Sequence, residues 1–163
     1  MDDTSKNCGT ECNSSAVKLL KEDQASLCKM FSNYEKTTDF KEKEDLVSAI
    51  SIALNAYSTL ENEVVYPALK EKESCSDEPC SGAESHHQMR LIVDQLQRLT
   101  ADGDQQEYEK GVSELKLAVQ KHFDSEEKLL FPAIEKCSTT AEKVGAKVQE
   151  FRAERSTPQL AEK

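Results

Sequence analysis

The sequence lacks the features that mark several classes of protein. No apolar run approaches the length of a membrane-spanning helix, and the first residues, Met1-Asp-Asp-Thr, lack the basic and apolar regions of a signal peptide. No basic stripe is present either: 31 acidic residues outnumber 21 basic ones, and the formal net charge is −10. The lack of a long apolar run and of a signal peptide predicts a soluble, cytoplasmic protein that does not bind membranes. Nucleic-acid binding is not expected either, because an acidic surface repels phosphate backbones.

Cysteine is present, but without the two-residue spacing of a zinc knuckle. The six cysteines are Cys8, Cys12, Cys28, Cys75, Cys80 and Cys137. In a cytosolic protein of this size we expect them to be reduced. A redox or second metal role stays open for the two close pairs, Cys8 with Cys12 and Cys75 with Cys80. Cys28 falls inside an amphipathic segment, where we expect it to be a small buried hydrophobe.

No run alternates apolar and polar residues with the period of a strand, so we expect no sheet. Apolar residues instead recur at steps of three and four over residues 14–34, 39–72, 84–100 and 105–136. Short loops between four such segments predict an all-α protein, an up-down-up-down four-helix bundle at residues 14–137. Residues 1–13 are predicted to be a disordered tail, and residues 138–163 a C-terminal tail with a possible short helix.

Two local signals refine these helices. Asp39, with Glu42 three residues later, resembles a capping box at the start of the second helix. Pro67 lacks the amide that would bond to residue 63, so we expect it to bend or break the last turns of that helix.

Polar residues interrupt the apolar stripes at one height of the predicted bundle. His122 and Glu126 lie four residues apart on the face that carries Leu115 and Val119, so both should point into the core. Phase likewise favours His86 over its neighbour His87 as an inward imidazole. The inward polar set is Gln24, Tyr57, Glu61, His86, His122 and Glu126.

The segment around His122 has an earlier counterpart, displaced by the 65 positions between residues 57 and 122. At this offset Glu61 matches Glu126, and the Pro-Ala pair at 67–68 matches the pair at 132–133. The chemical mismatch is Tyr57, which stands where the later copy has His122. Two copies of a helical hairpin are the simplest interpretation.

Imidazole and carboxylate together suit iron, zinc or manganese, and two carboxylates on facing helices can bridge a pair of metals. The plainer alternative is that each group is a hydrogen-bonded core residue, since structural groups also cluster in cores. Two histidines and two glutamates in mutually consistent phase favour a metal site. No nucleophile–base pair is apparent, so whether the protein is an enzyme stays open and any turnover would belong to the metal.

Residues 16–137 resemble the hemerythrin-like family, the HHE cation-binding domain. The resemblance rests on residues of all four helices: Glu22-Asp23, Glu61-x5-Pro67-Ala-Leu, His86, and His122-x3-Glu126-Glu127-x4-Pro132-Ala. It implies a four-helix bundle with a non-haem di-iron centre that binds oxygen, or that senses oxygen, nitric oxide or iron.

Carried over by position, the resemblance implies that His86 and His122 ligate one iron and that Glu61 and Glu126 bridge both. The family's histidines for the other iron are replaced here by Gln24 and Tyr57. Phenolate is a hard ligand that ferric iron accepts, whereas an amide oxygen is a weak one.

Three hypotheses follow. The preferred one is an asymmetric di-iron centre, with an oxo or hydroxo bridge as an option, that binds or senses oxygen, peroxide or nitric oxide or handles iron. The others are a mononuclear metal site and a metal-free helical interaction module. The module would gain support if Gln24 and Tyr57 hydrogen-bonded each other. The sequence identifies no protein partner.

Overall fold

The computed structural model describes residues 2–71, 82–136 and 138–161, with side chains described at 16–70, 82–136 and 140–155. The expectations for five of the cysteines, all but Cys28, therefore lie outside the described side chains. So does most of the loop expected between the second and third helices.

The described residues are mostly helical and contain no strand, which confirms the all-α prediction. Two of the helices continue through a π-helical turn, so seven α-helical segments form five helical rods. The segments are α1 (Asp2–Lys36), α2 (Phe40–Leu60), a first π turn (Glu61–Val65), α3 (Tyr66–Glu71), α4 (Ala83–Gln97), α5 (Gln105–Ser125), a second π turn (Glu126–Leu130), α6 (Phe131–Glu135) and α7 (Ser138–Ala161). Among the described helices, none is long and apolar enough to cross a membrane.

The core lies where the apolar stripes of the rods meet. Helix α1 packs against α2, α6 and α7, and α4 packs against α5. The fully buried side chains include Leu20, Leu27, Ile50 and Leu115, which occupy the predicted inward phase. Cys28 is exposed, so the expectation that it is buried was wrong. It follows the buried Leu27 by one position, and one residue turns a helix by about 100°, which directs it away from the core.

Both ends of the chain are more helical than the sequence predicted. Helix α1 begins at Asp2, where a disordered tail was expected over residues 1–13. No proline interrupts this segment, and its one glycine, Gly9, costs a helix only about 1 kcal/mol. The division of the chain into tail, bundle and C-terminal segment stays a prediction, because helix bounds alone do not define domains.

The predicted short C-terminal helix is the long α7, which docks on α1. Val144 and Val148 are fully buried. Arg152 donates hydrogen bonds to the carbonyl oxygen of Leu19 (2.8 Å) and to Oδ1 of Asp23 (2.8 Å). These contacts fix α7 beside the first half of the bundle.

The irregularity expected near Pro67 takes the form of a π turn, and the same irregularity occurs before Pro132. The amide of Tyr66 bonds to the carbonyl of Glu61, five residues back, and the amide of Phe131 bonds to that of Glu126 in the same way. The wider turn changes the hydrogen-bond register just before each proline, which has no amide to donate. Both helices then continue.

The predicted cap of α2 forms in part. Asp39 Oδ2 accepts the amide hydrogen of Glu42 at 3.0 Å, whereas the Glu42 carboxylate accepts from the Thr37 hydroxyl at 2.9 Å. The first contact satisfies an amide that has no partner within the helix.

Removing this cap should have a modest, measurable effect on stability. We expect Asp39→Ala to lower the free energy of unfolding by about 1 kcal/mol, measured by urea denaturation, because the Glu42 amide loses its acceptor. Asp39→Asn keeps a capping oxygen and should change stability little. Equal losses in the two variants would contradict this role.

Candidate metal centre

Four buried polar side chains meet where the two π turns face helices α4 and α5. Glu61 and Glu126 are the first residues of the two π turns, His122 lies in the last turn of α5, and His86 lies in the first turn of α4. Their exposed fractions are 0% for Glu61, 5% for His86, 6% for His122 and 4% for Glu126. The sequence predicted this inward phase for all four, and His87 is exposed as expected.

Glu61 is the centre of the cluster. Its Oε1 atom lies 2.8 Å from Nε2 of His86 and 3.0 Å from Nε2 of His122, so both imidazoles point at one carboxylate oxygen. The ring centroids of the two histidines are 4.9 Å apart. Potential metal-ligating atoms of these three residues all lie within 4.8 Å of one another.

Glu126 connects this group to the remaining two predicted site residues. Its Oε2 atom lies 3.0 Å from Nε2 of His122 and has no hydrogen-bond partner among the described residues. Its Oε1 atom accepts hydrogen bonds from Gln24 Nε2 and Tyr57 Oη, each at 2.7 Å. One carboxylate thus faces the histidines with one oxygen and the Gln24–Tyr57 pair with the other.

Gln24 and Tyr57 act here as hydrogen-bond donors. Gln24 Nε2 also donates to Tyr57 Oη at 3.1 Å, the contact that the sequence analysis associated with a metal-free module. Burial, and then the negative charge of Glu61, raise the pKa of Tyr57 well above its ordinary value. The phenol therefore keeps its proton in the metal-free chain.

Two contacts around the histidines were missed by the sequence analysis. Ser85 Oγ lies 2.9 Å from Nδ1 of His122, and the ring of Tyr66 stacks on His86 with a centroid distance of 6.1 Å. Burial and the adjacent Glu61 carboxylate raise the pKa of Tyr66 above its ordinary range. Ser85 is only half-buried, so it carries no periodic signal.

The donor set fits a metal ion. Two neighbouring ligand atoms that each lie about 2.1 Å from an octahedral ion are about 3.0 Å from each other. Nε2 of His122 lies at this distance, 3.0 Å, from Oε1 of Glu61 and from Oε2 of Glu126. If Nδ1 of His122 donates its proton to Ser85, the other ring nitrogen, Nε2, carries a lone pair. This lone pair faces the carboxylate oxygens and is repelled by them, and a cation between the atoms would remove the repulsion. Two imidazoles with two carboxylates suit iron, manganese or zinc.

The comparison with known families agrees with this chemistry. The model of the hemerythrin HHE cation-binding domain matches residues 15–134 and, in a second overlapping match, residues 83–156. Two overlapping matches are consistent with a repeated helical hairpin. No curated protein and no solved structure matches the chain. The first match spans most of the chain, which therefore belongs to the hemerythrin HHE cation-binding domain family.

Proposed function

We propose that this protein binds one non-haem iron ion through Glu61, His86, His122 and Glu126. The observation that carries the proposal is the convergence of two imidazole nitrogens on a single, fully buried carboxylate oxygen of Glu61. A buried carboxylate is costly without a compensating charge, and a metal ion supplies one to all four groups together.

The hydrogen bonds of Glu126 favour one ion over two. In a di-iron centre Gln24 and Tyr57 would serve the second ion, but here both donate to Oε1 of Glu126. A second ion would require Tyr57 to lose its proton and Gln24 to turn its oxygen inward. The asymmetric di-iron centre is therefore the alternative, and metal stoichiometry separates the two.

In the proposed site the protein positions the ligands and excludes bulk water. Ser85 orients the His122 ring, and Gln24 and Tyr57 hold the Glu126 carboxylate, so that its other oxygen is directed toward His122. Bound iron would supply affinity for oxygen, peroxide or nitric oxide. We propose binding or sensing of such a ligand, or iron handling; cytoplasmic location and the absence of a nucleic-acid partner stay predictions from composition.

The metal-free interaction module is a second candidate because the hydrogen bond between Gln24 and Tyr57 is present. It does not account for the two carboxylate oxygens, of Glu61 and Glu126, that each lie 3.0 Å from Nε2 of His122. An imidazole nitrogen carries at most one proton, so it cannot fully satisfy both of them.

To test the proposal, the protein is loaded with ferrous iron under anaerobic conditions and then oxidised. Its metal content and its visible spectrum are measured. We expect one iron per chain and no phenolate-to-iron charge-transfer band. Tyr57→Phe should keep the stoichiometry and weaken iron binding by about 10–100-fold, because it removes a hydrogen bond to a ligand. Tyr108→Phe, in the first turn of α5, is the matched control and should leave iron affinity unchanged.

Other results would point elsewhere. Two irons per chain, with a charge-transfer band that disappears in Tyr57→Phe, would establish the di-iron alternative with Tyr57 as a ligand. No iron in the parent protein after anaerobic loading would favour the metal-free module.

A further inference from the structure

The proposed ligands are almost fully buried, so a small molecule can reach them only through a surface cleft. Two of the clefts formed by the described residues extend to the site from different sides of the bundle. The larger, of about 950 Å³, lies between α2, α4 and α7. The smaller, of about 370 Å³, lies between α4 and the rod formed by α5 and the second π turn.

The larger cleft reaches only one of the four proposed ligands. Of these, His86 alone lines it. The rest of its lining is mixed: apolar side chains such as Met89 and Val93 occur beside charged ones such as Arg90, which lies one helical turn after His86.

The smaller cleft reaches two of the proposed ligands, His122 and Glu126. Glu126 is 96% buried, since its exposed fraction is 4%, and its Oε2 atom has no hydrogen-bond partner among the described residues. The lining of the cleft therefore includes a buried carboxylate beside the imidazole of His122, two groups that a small polar ligand can contact.

Polar side chains line much of the smaller cleft. Ser85 and Ser125 supply hydroxyl groups and Gln88 an amide. The charges of Glu84 and Lys121 oppose each other on the two walls, which leaves the Glu126 carboxylate as the remaining charge. Such a lining provides donors and acceptors for a small hydrogen-bonding ligand.

Tyr66 forms part of the wall of the smaller cleft. Its ring lines the cleft and stacks on His86, which does not line it. A Cβ atom added at Gly82 would overlap the Tyr66 hydroxyl, so a glycine at this position leaves room for the ring.

We propose that the smaller cleft is the binding and access site for a small hydrogen-bonding ligand, of the size and polarity of hydrogen peroxide. This inference rests on the proposed function, because the ligand would be bound next to the ion held by His122 and Glu126. It assigns Gln88 and Ser125 to the route that a ligand follows, and it assigns no such role to the larger cleft.

Two matched variants test the route. Gln88→Phe replaces an exposed amide on the smaller cleft, and Asn55→Phe makes a comparable change on the larger one. Azide added to the iron-loaded protein serves as the probe, and its association is followed by stopped-flow absorbance. We expect Gln88→Phe to slow azide association by about tenfold, which corresponds to about 1.4 kcal/mol in the barrier, whereas Asn55→Phe should be close to the parent protein.

A second readout needs no metal. In the metal-free protein, Gln88→Phe should slow the deuterium exchange of the ring carbon hydrogen of His122, with the exposed His87 as an internal reference. If the protein binds no iron, the proposed function fails, but this exchange still decides whether the cleft is the route to His122.

The proposal is overturned if Asn55→Phe is the variant that slows azide association and His122 exchange. It is also overturned if both variants behave like the parent protein in both measurements.

Discussion

Glu61→Gln is expected to lower the affinity for iron by more than about a hundredfold, because the loss of an outer partner already costs about 10–100-fold and Glu61 is proposed as a direct ligand. Glutamine has nearly the same shape but no negative charge, and one of its two terminal atoms is a hydrogen-bond donor. Oε1 of Glu61 is the atom on which both imidazoles converge, so the change removes the centre of the donor set.

The measurement is the iron-induced shift in thermal unfolding. At an iron concentration 100 times the dissociation constant, binding stabilises the folded protein by about 2.7 kcal/mol, which raises Tm by roughly 5–10 °C for a chain of this length. We expect this shift in the parent protein and no more than about 1–2 °C in Glu61→Gln at the same iron concentration. Without metal the variant should be no less stable than the parent, because it removes the charge of a fully buried carboxylate and keeps an oxygen that can accept from an imidazole.

The chain offers a close control. Glu63 lies two residues later in the same π turn and is exposed, so Glu63→Gln makes the same chemical change outside the cluster. This variant should keep the full iron-induced shift. An undiminished shift in Glu61→Gln would show that iron binds elsewhere.

Leu115→Ala is expected to destabilise the protein by about 2–5 kcal/mol, because Leu115 is 0% exposed and its truncation leaves a cavity in the core. Leu117, on the same helix, is 67% exposed, so Leu117→Ala should change the free energy of unfolding by no more than about 0.5 kcal/mol. The pair isolates burial, since the substitution and the helix are the same.

Urea denaturation followed by circular dichroism measures both variants. Similar losses of unfolding free energy for Leu115→Ala and Leu117→Ala would contradict the phase of α5, that is, which face of this helix is buried in the core. That phase also places His122 in the core, seven residues after Leu115, so this outcome would weaken the candidate metal centre as well.

Helical periodicity predicted much of the site. A step of three or four residues returns a side chain to the same face, so apolar neighbours such as Met89 sufficed to select His86 over His87. The same argument located Glu61 and Glu126 in the core. It failed for Cys28, which lies one position beyond the buried stripe of α1 and is exposed.

Contacts between helices were beyond the reach of that argument. Ser85 approaches His122 from another helix, and Tyr66 stacks on His86 across the bundle. Gln24 and Tyr57 stand at ligand positions of the sequence pattern, but no pattern within one helix predicts that both donate to one oxygen of Glu126. Such contacts depend on the rotation and separation of the packed helices, which no single helix specifies.

By itself, the sequence determined the all-α class and the inward phase of the two histidines and two glutamates, because these follow from the spacing of residues within single helices. It also carries the residues by which the chain matches its family. The tertiary structure alone decided the hydrogen bonding of Gln24 and Tyr57, the convergence on Glu61 Oε1 and the two clefts beside the site. The physical reason is that distances between atoms on different helices are set by how the side chains of the whole core pack, including those of α7 against α1.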